Sequence, residues 1–409
     1  MPPPPDRILN ARLHCGTLAT LHIQDGRFSA IETQTAFLQP EGDVLDAQGM
    51  LVLPTLFDGH IHLDKTLMGL PWIPHPAGPT RMSRIESDKK VLPHVPLSTA
   101  QRASNLIRRC VSHGSGNLRS HVDIDLESGL RNLEGVLQAR DACRAFADVQ
   151  VVAFPQSGVM RRPGTLALMD AAMAHGADLV GGIDPCEIDA DPAGQLNGIF
   201  DIAERHGAGI DIHIHEQGEL GFFSIREICK RSKALGMAGK VTVSHGYCLG
   251  QIAESKAQLC AELMAEAGVA LVTHGAAAQP LPPLSVLRAH GVTVFAGNDD
   301  VRDTWSPYGN GDVLARAALV GWRADWRRDE QVEDAFDMVT ASAARAFGIA
   351  FEGIAVGAPA HCFALEATTI PEAVGGHPPR RWVVRHGLAV AHNGQVFDVP
   401  QPLGRLARA

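Results

Sequence analysis

Residues 51–66 read LVLPTLFDGHIHLDKT. A short apolar run, Leu51–Leu53, precedes two histidines, His60 and His62, set two positions apart. Side chains at i and i+2 of a strand point to one face, so two inward imidazoles can chelate one ion. An H-x-H pair is a weak signal alone. Its weight depends on what the rest of the chain places beside it.

Similar runs recur downstream at Leu118–Val122, Val149–Phe154, Leu179–Ile183, Ile210–Ile214, Val241–Ser244, Val269–Thr273 and Val292–Phe295. Helix-like stretches separate them: Thr99–Ser112, Gly129–Phe146, Pro163–His175, Gln195–His206, Ser224–Leu235 and Ile252–Gly268. Counting Leu51–Leu53 as the first, eight strands alternating with helices predict an α/β fold, a (β/α)8 TIM-like barrel over residues 54–350. The two ends differ. Residues 1–53 and 351–409 read as short strands, with Asp25-Gly26, His386-Gly387 and Asn393-Gly394 as turn signals. Neither end holds enough sequence for its own β-core, so the two are expected to pair into one small β-sandwich.

Composition narrows the function. The 409 residues are 45% apolar and 20% charged, which supports a folded core. A net charge of −9 and 5% aromatics argue against a nucleic-acid binder. No apolar run is long enough for a membrane span. The start, Met1 to Asp6, is a proline run with no apolar segment behind it, so no secretory signal is expected. Eight dispersed cysteines without a C-x-x-C pair read as reduced thiols of a cytoplasmic protein. The P-loop, H-E-x-x-H and G-x-S-x-G motifs are absent. So is the P-C-x-x-C of base-flipping zinc deaminases, because Pro185-Cys186 runs into Glu187, Ile188 and Asp189.

The 19 histidines then sort by position. His213 ends the fifth expected strand with His215 beside it, His245 ends the sixth, and Asp299 and Asp300 follow the eighth. With His60 and His62, these fall at C-terminal strand ends, the face on which barrel active sites form.

On these residues the chain resembles the amidohydrolase superfamily. Asp58-Gly59-His60-Ile61-His62-Leu63-Asp64-Lys65-Thr66, Ser120-His121-Val122-Asp123, Val152 to Gly158, Val241 to His245, and Gly297-Asn298-Asp299-Asp300-Val301 with Trp305 are similar to the cytosine deaminase branch. The His-Leu-Asp-Lys segment and His213-Ile214-His215 are also similar to N-isopropylammelide isopropylaminohydrolases. The resemblance implies one divalent ion, Zn or Fe, on His60, His62, His213 and Asp299. Strand four ends in Gly181 to Pro185 without the lysine that bridges two ions in other members, hence one metal.

By the same resemblance, Glu216 shuttles protons, His245 stabilises developing charge, and Asp299 takes the proton of the attacking water. Asp300 and Trp305 line the substrate pocket. Gln156 offers a donor and an acceptor to a ring. Lys65 is a substrate contact or a structural residue. His215 either supports the ligands or touches substrate, His121 either supports the ligands or packs structurally, and His274 is a further candidate from strand seven.

The expected function is hydrolytic deamination of a free aminopyrimidine, such as cytosine, 5-methylcytosine or isocytosine, with activated water attacking the amino-bearing carbon and ammonia leaving. The alternative is removal of an alkylamine from an N-alkylammelide. A non-catalytic ligand-binding barrel is the reading from another class. It is disfavoured because all four ligands, Glu216 and His245 are present. The expected partner is a small heterocyclic base, without nucleic acid or membrane, and a homo-oligomer is compatible with a barrel of this size.

Overall fold

The computed structural model describes residues 6–408 except Asp43, Pro76, Ala77 and Ala277, so the proline run Met1–Pro5 lies outside the described residues. Eight parallel strands follow one another around a sheet in sequence order. They are β1 (Leu56–Ile61), β2 (Ser115–Asp123), β3 (Asp148–Phe154), β4 (Leu179–Ile183), β5 (Gly209–Ile214), β6 (Val241–His245), β7 (Val269–Thr273) and β8 (Val294–Ala296). Helices cover the outside.

Alternation sets the two faces. On β5, Ile210, Ile212 and Ile214 are fully buried in the core between sheet and helices. Asp211 and His213 turn to the barrel interior, with His215 next in the same phase. Below the site, buried Arg119 fills the interior. It donates to Asp211 Oδ2 (3.2 Å), Thr242 Oγ1 (3.3 Å), Gln150 Oε1 (3.0 Å) and the Ala346 carbonyl (2.7 Å).

The seam between β1 and β8 is thin. One bridge joins Ile61 to Asp299, and Asp299 N–H donates to the His60 carbonyl at 2.7 Å. Two glycines allow this approach. A Cβ on Gly59 would lie 2.8 Å from the Ala296 carbonyl, and one on Gly297 would lie 2.2 Å from His60 N. Asp58 latches the seam by accepting from Asn298 N (2.9 Å) and Nδ2 (2.6 Å).

The expected opening strand is corrected. Leu51–Pro54 does not belong to the barrel. It pairs antiparallel with Cys362–Leu365 and bridges to Arg12. Pro54 has no N–H to continue a ladder, so the chain leaves one sheet there and enters the barrel at Leu56. The outer sheet has nine strands from both chain ends. Its core includes Ile8, Leu21, Phe28, Val52, Cys362 and Trp382. The Asp25-Gly26 turn, with both residues at positive φ, packs against the His386-Gly387 turn. The two wings of the sheet therefore meet.

The connection from β1 to β2 carries an added helix, Arg81–Val91. Thr80 caps it by accepting from Ser83 N at 3.1 Å. Met82, Glu86 and Lys90 are exposed, while Ile85 and Asp88 are buried. Spacings of three and four place Arg81, Arg84 and Asp88 together on the barrel-facing side.

Candidate active site

Imidazoles crowd the C-terminal mouth of the barrel. Donor atoms of His60, His62 and His213 lie within 4.8 Å of one another, and the same holds for His60, His245 and Asp299. Asp299 Oδ1 stands 3.3 Å from both His60 Nε2 and His62 Nε2, and His274 Nδ1 is 3.0 Å from Oδ2. The ring of His213 stacks on Phe154 at 4.1 Å.

The protonation of His60 follows from its support. Ser244 donates its hydroxyl to Asp211 Oδ1 at 2.6 Å, so it accepts from His60 Nδ1 at 3.0 Å. That fixes the Nδ1–H tautomer and turns the Nε2 lone pair toward the cluster. Burial, followed by the nearby Lys65 charge, pushes His62 down to about 3. Burial also holds His213 and His245 well below the ordinary histidine value. These rings are therefore neutral at pH 7. Among the described residues, His60 Nε2, both nitrogens of His213 and His245 Nε2 are buried without hydrogen-bond partners. Unpaired buried lone pairs beside a carboxylate fit a divalent cation.

Backbone strain helps to assemble the cluster. Asp184, His245 and Asp299 all have positive φ, at 37°, 74° and 60°. Strict alternation would send His245 outward with Val241 and Val243. The left-handed turn brings it into the same cavity as His213 instead. The same device lets consecutive Asp299 and Asp300 both line the cavity.

The cavity is small, about 160 Å³. One wall is built on Asp88, a residue without any strand-end signal in the sequence. Its Oδ2 accepts from Gln156 Nε2 (3.0 Å) and Trp305 Nε1 (2.6 Å), and Thr304 donates to Oδ1. Gln156 Oε1 accepts from Lys65, whose Nζ also lies 3.2 Å from Asp123 and 5.1 Å from the Trp305 ring centroid. Burial alone would lower the Lys65 value, but Asp123, Asp88 and Asp64 outweigh it and hold it raised. Lys65 is thus a fixed cation, and the direction of the Gln156 amide is set by its two neighbours. Gln156, Asp300, Trp305 and Lys65 all line the cavity.

Glu216 is not brought to this cavity. Its Oε1 accepts from the backbone N–H groups of Cys186 (2.7 Å) and Glu187 (2.9 Å), and Ser224 donates to Oε2 at 2.5 Å. Burial raises its pKa against those bonds. His215 lines the cavity instead. Its Nδ1 is 2.8 Å from Asp184 Oδ2, and its ring stacks on His245 at 4.5 Å. Arg81 adds a second partner to Asp184 at 3.0 Å. His121 lies beneath, stacked on His60 at 4.1 Å and 3.8 Å from Asp211. His274 does reach the cavity, as does Tyr247, whose hydroxyl is 3.4 Å from His245 Nδ1.

Known proteins share this fold over almost its full length. A solved N-isopropylammelide isopropylaminohydrolase from Burkholderia multivorans superposes with TM-score 0.90 at 42% identity, covering 96% of this chain and 100% of that one. The N-isopropylammelide isopropyl amidohydrolase of Pseudomonas sp. (strain ADP) is 30% identical over 359 residues, 85% of this chain and 88% of that protein. A 5-methylcytosine deaminase from Klebsiella pneumoniae, liganded with 5-fluorocytosine, superposes with TM-score 0.83 at 27% identity, covering 94% of this chain and 97% of that one. The amidohydrolase family model matches residues 43–396, the whole barrel and most of the C-terminal strands, and the chain belongs to the amidohydrolase family.

Proposed function

We propose that this metal-dependent amidohydrolase cleaves the exocyclic C–N bond of an N-alkylated amino-oxo-triazine such as N-isopropylammelide and releases the alkylamine. One divalent ion, zinc or iron, is held by His60, His62, His213 and Asp299. The observation that carries the reading is the 42% identity over 96% of the chain to an enzyme of that name, against 27% to the cytosine-type relative. This reverses the order of preference drawn from the sequence, where the free aminopyrimidine came first.

A bound divalent ion supplies Lewis acidity and an activated water near neutral pH. The residues supply the remainder. His215, anchored at Nδ1 by Asp184, presents its other nitrogen to give or take a proton. The departing amine needs such a proton. Asp299, beside the His60 and His62 nitrogens, can receive the proton of the attacking water. His245 backs the same space and steadies charge developing there. Lys65 and Gln156 orient the ring from the opposite wall, and Trp305 offers it an aromatic face.

The test is a panel of N-isopropylammelide, cytosine, 5-methylcytosine and isocytosine with purified metal-loaded protein, reading isopropylamine and ammonia. N-isopropylammelide should exceed each pyrimidine by at least about tenfold in kcat/KM. Turnover of a pyrimidine with N-isopropylammelide inert would return the reading to the deaminase. Metal analysis should give about one ion per folded chain.

A further inference from the structure

Arg84 differs from the other cations at the cavity. Lys65 lies against Asp123 and Asp88, at 3.2 and 3.9 Å. Arg81 pairs with Asp184 and Glu187, at 3.0 and 2.9 Å. Arg84 lines the same cavity, yet among the described residues no carboxylate comes within 4 Å of it. Its Nε is buried without a hydrogen-bond partner. Its guanidinium lies 5.9 Å from the Trp305 ring centroid. A contact of that kind leaves the guanidinium N–H groups available to an acceptor. An always-charged guanidinium with an unsatisfied buried donor is costly without an acceptor.

We infer that the cavity takes an anionic ligand, a heterocycle bearing a negatively charged oxygen that Arg84 holds. The charge has two chemical sources: an ionised oxygen on the ring itself, or a carboxylate carried as a substituent. Either accepts from a guanidinium in the charge-assisted manner. The helix Arg81–Val91 brings Arg84 to the cavity that the histidines also line. A ring bound between them places its reacting carbon at the metal ligands and its charge toward Arg84. The inference rests on the proposed reading only for this orientation of the ring.

Three ligands without an exocyclic amine test it, because none of them offers the bond that the proposed reaction cleaves. Uracil is neutral, barbiturate is an ionised oxo ring, and orotate carries a ring carboxylate. Calorimetric titration of metal-loaded wild-type protein should show barbiturate or orotate binding at least about tenfold more tightly than uracil. Preference for barbiturate alone assigns the charge to the ring, and preference for orotate alone assigns it to a substituent. Arg84→Gln should abolish the preference with metal content unchanged, and Arg84→Lys should restore part of it. Three outcomes overturn the proposal: neither anion binds, uracil binds as tightly as both, or R84Q keeps the preference. No arm depends on turnover, so failure of the triazine reading in the substrate panel leaves this test intact.

Discussion

Two side chains near His213 compete for the proton-shuttling role, and their surroundings separate them. Glu216 sits three residues on, with both carboxylate oxygens bound to Cys186, Glu187 and Ser224. His215 sits two residues on and faces the cavity with Asp184 behind it. His215→Asn is therefore expected to lower kcat by about 10²- to 10⁴-fold. Glu216→Gln should leave kcat within a few-fold and instead lower stability by about 1–3 kcal/mol, since a buried acceptor is disturbed. Steady-state kinetics and thermal melts on the two variants separate these outcomes. Asp88 makes a different kind of contribution. Asp88→Ala removes the acceptor shared by Gln156, Trp305 and Thr304, so KM should rise about tenfold with a smaller change in kcat. A kcat collapse at unchanged KM would show that Asp88 does not act through recognition.

The strands explain which residues could be read from sequence. His60, His62 and His213 follow from period-two alternation at strand ends, and Asp299 from its place after β8. His245 was legible by position, but its entry to the cavity depends on a left-handed φ that alternation does not predict. Asp88 was not legible, because it rides on a helix outside the strand-helix rhythm and is defined by partners far away in the chain. Leu51–Leu53 was misassigned because an apolar run buried on both faces looks alike in either sheet, and Pro54 marks the change. Residue type also hid the orientation of Glu216, which the backbone N–H groups of the β4 loop and the Ser224 hydroxyl determine. At the seam, Gly297→Ala would press a Cβ on the His60 backbone, which cannot move without shifting β1. A loss of about 3 kcal/mol is expected, with weakened metal retention. Denaturant melts and metal analysis on the same sample check both.

At the scale of the whole molecule, stability should depend on acid through groups far from the site. His113, between Asp312 and Arg380, is pushed by burial from 6.5 down to about 4. Below about pH 6.5 the unfolded chain takes up a proton there that the fold refuses until about pH 4. Stability is thus fully present above 6.5 and falls as the pH drops through that window, by up to about 3 kcal/mol. Melting temperature against pH should show this slope, and His113→Gln should make it shallower. The β1–β8 seam has a consequence of another kind. Its latch joins Asp58 to Asn298, 240 positions apart, and His60, His62 and Asp299, the proposed metal ligands, stand across the same joint. An ion held by these residues would work as a buckle on a belt. Undone, the cylinder becomes a ribbon with two raw borders, each able to recruit a strand from a neighbouring chain. Chelator treatment should therefore produce growing particles in light scattering, and Asp58→Ala should hasten their appearance.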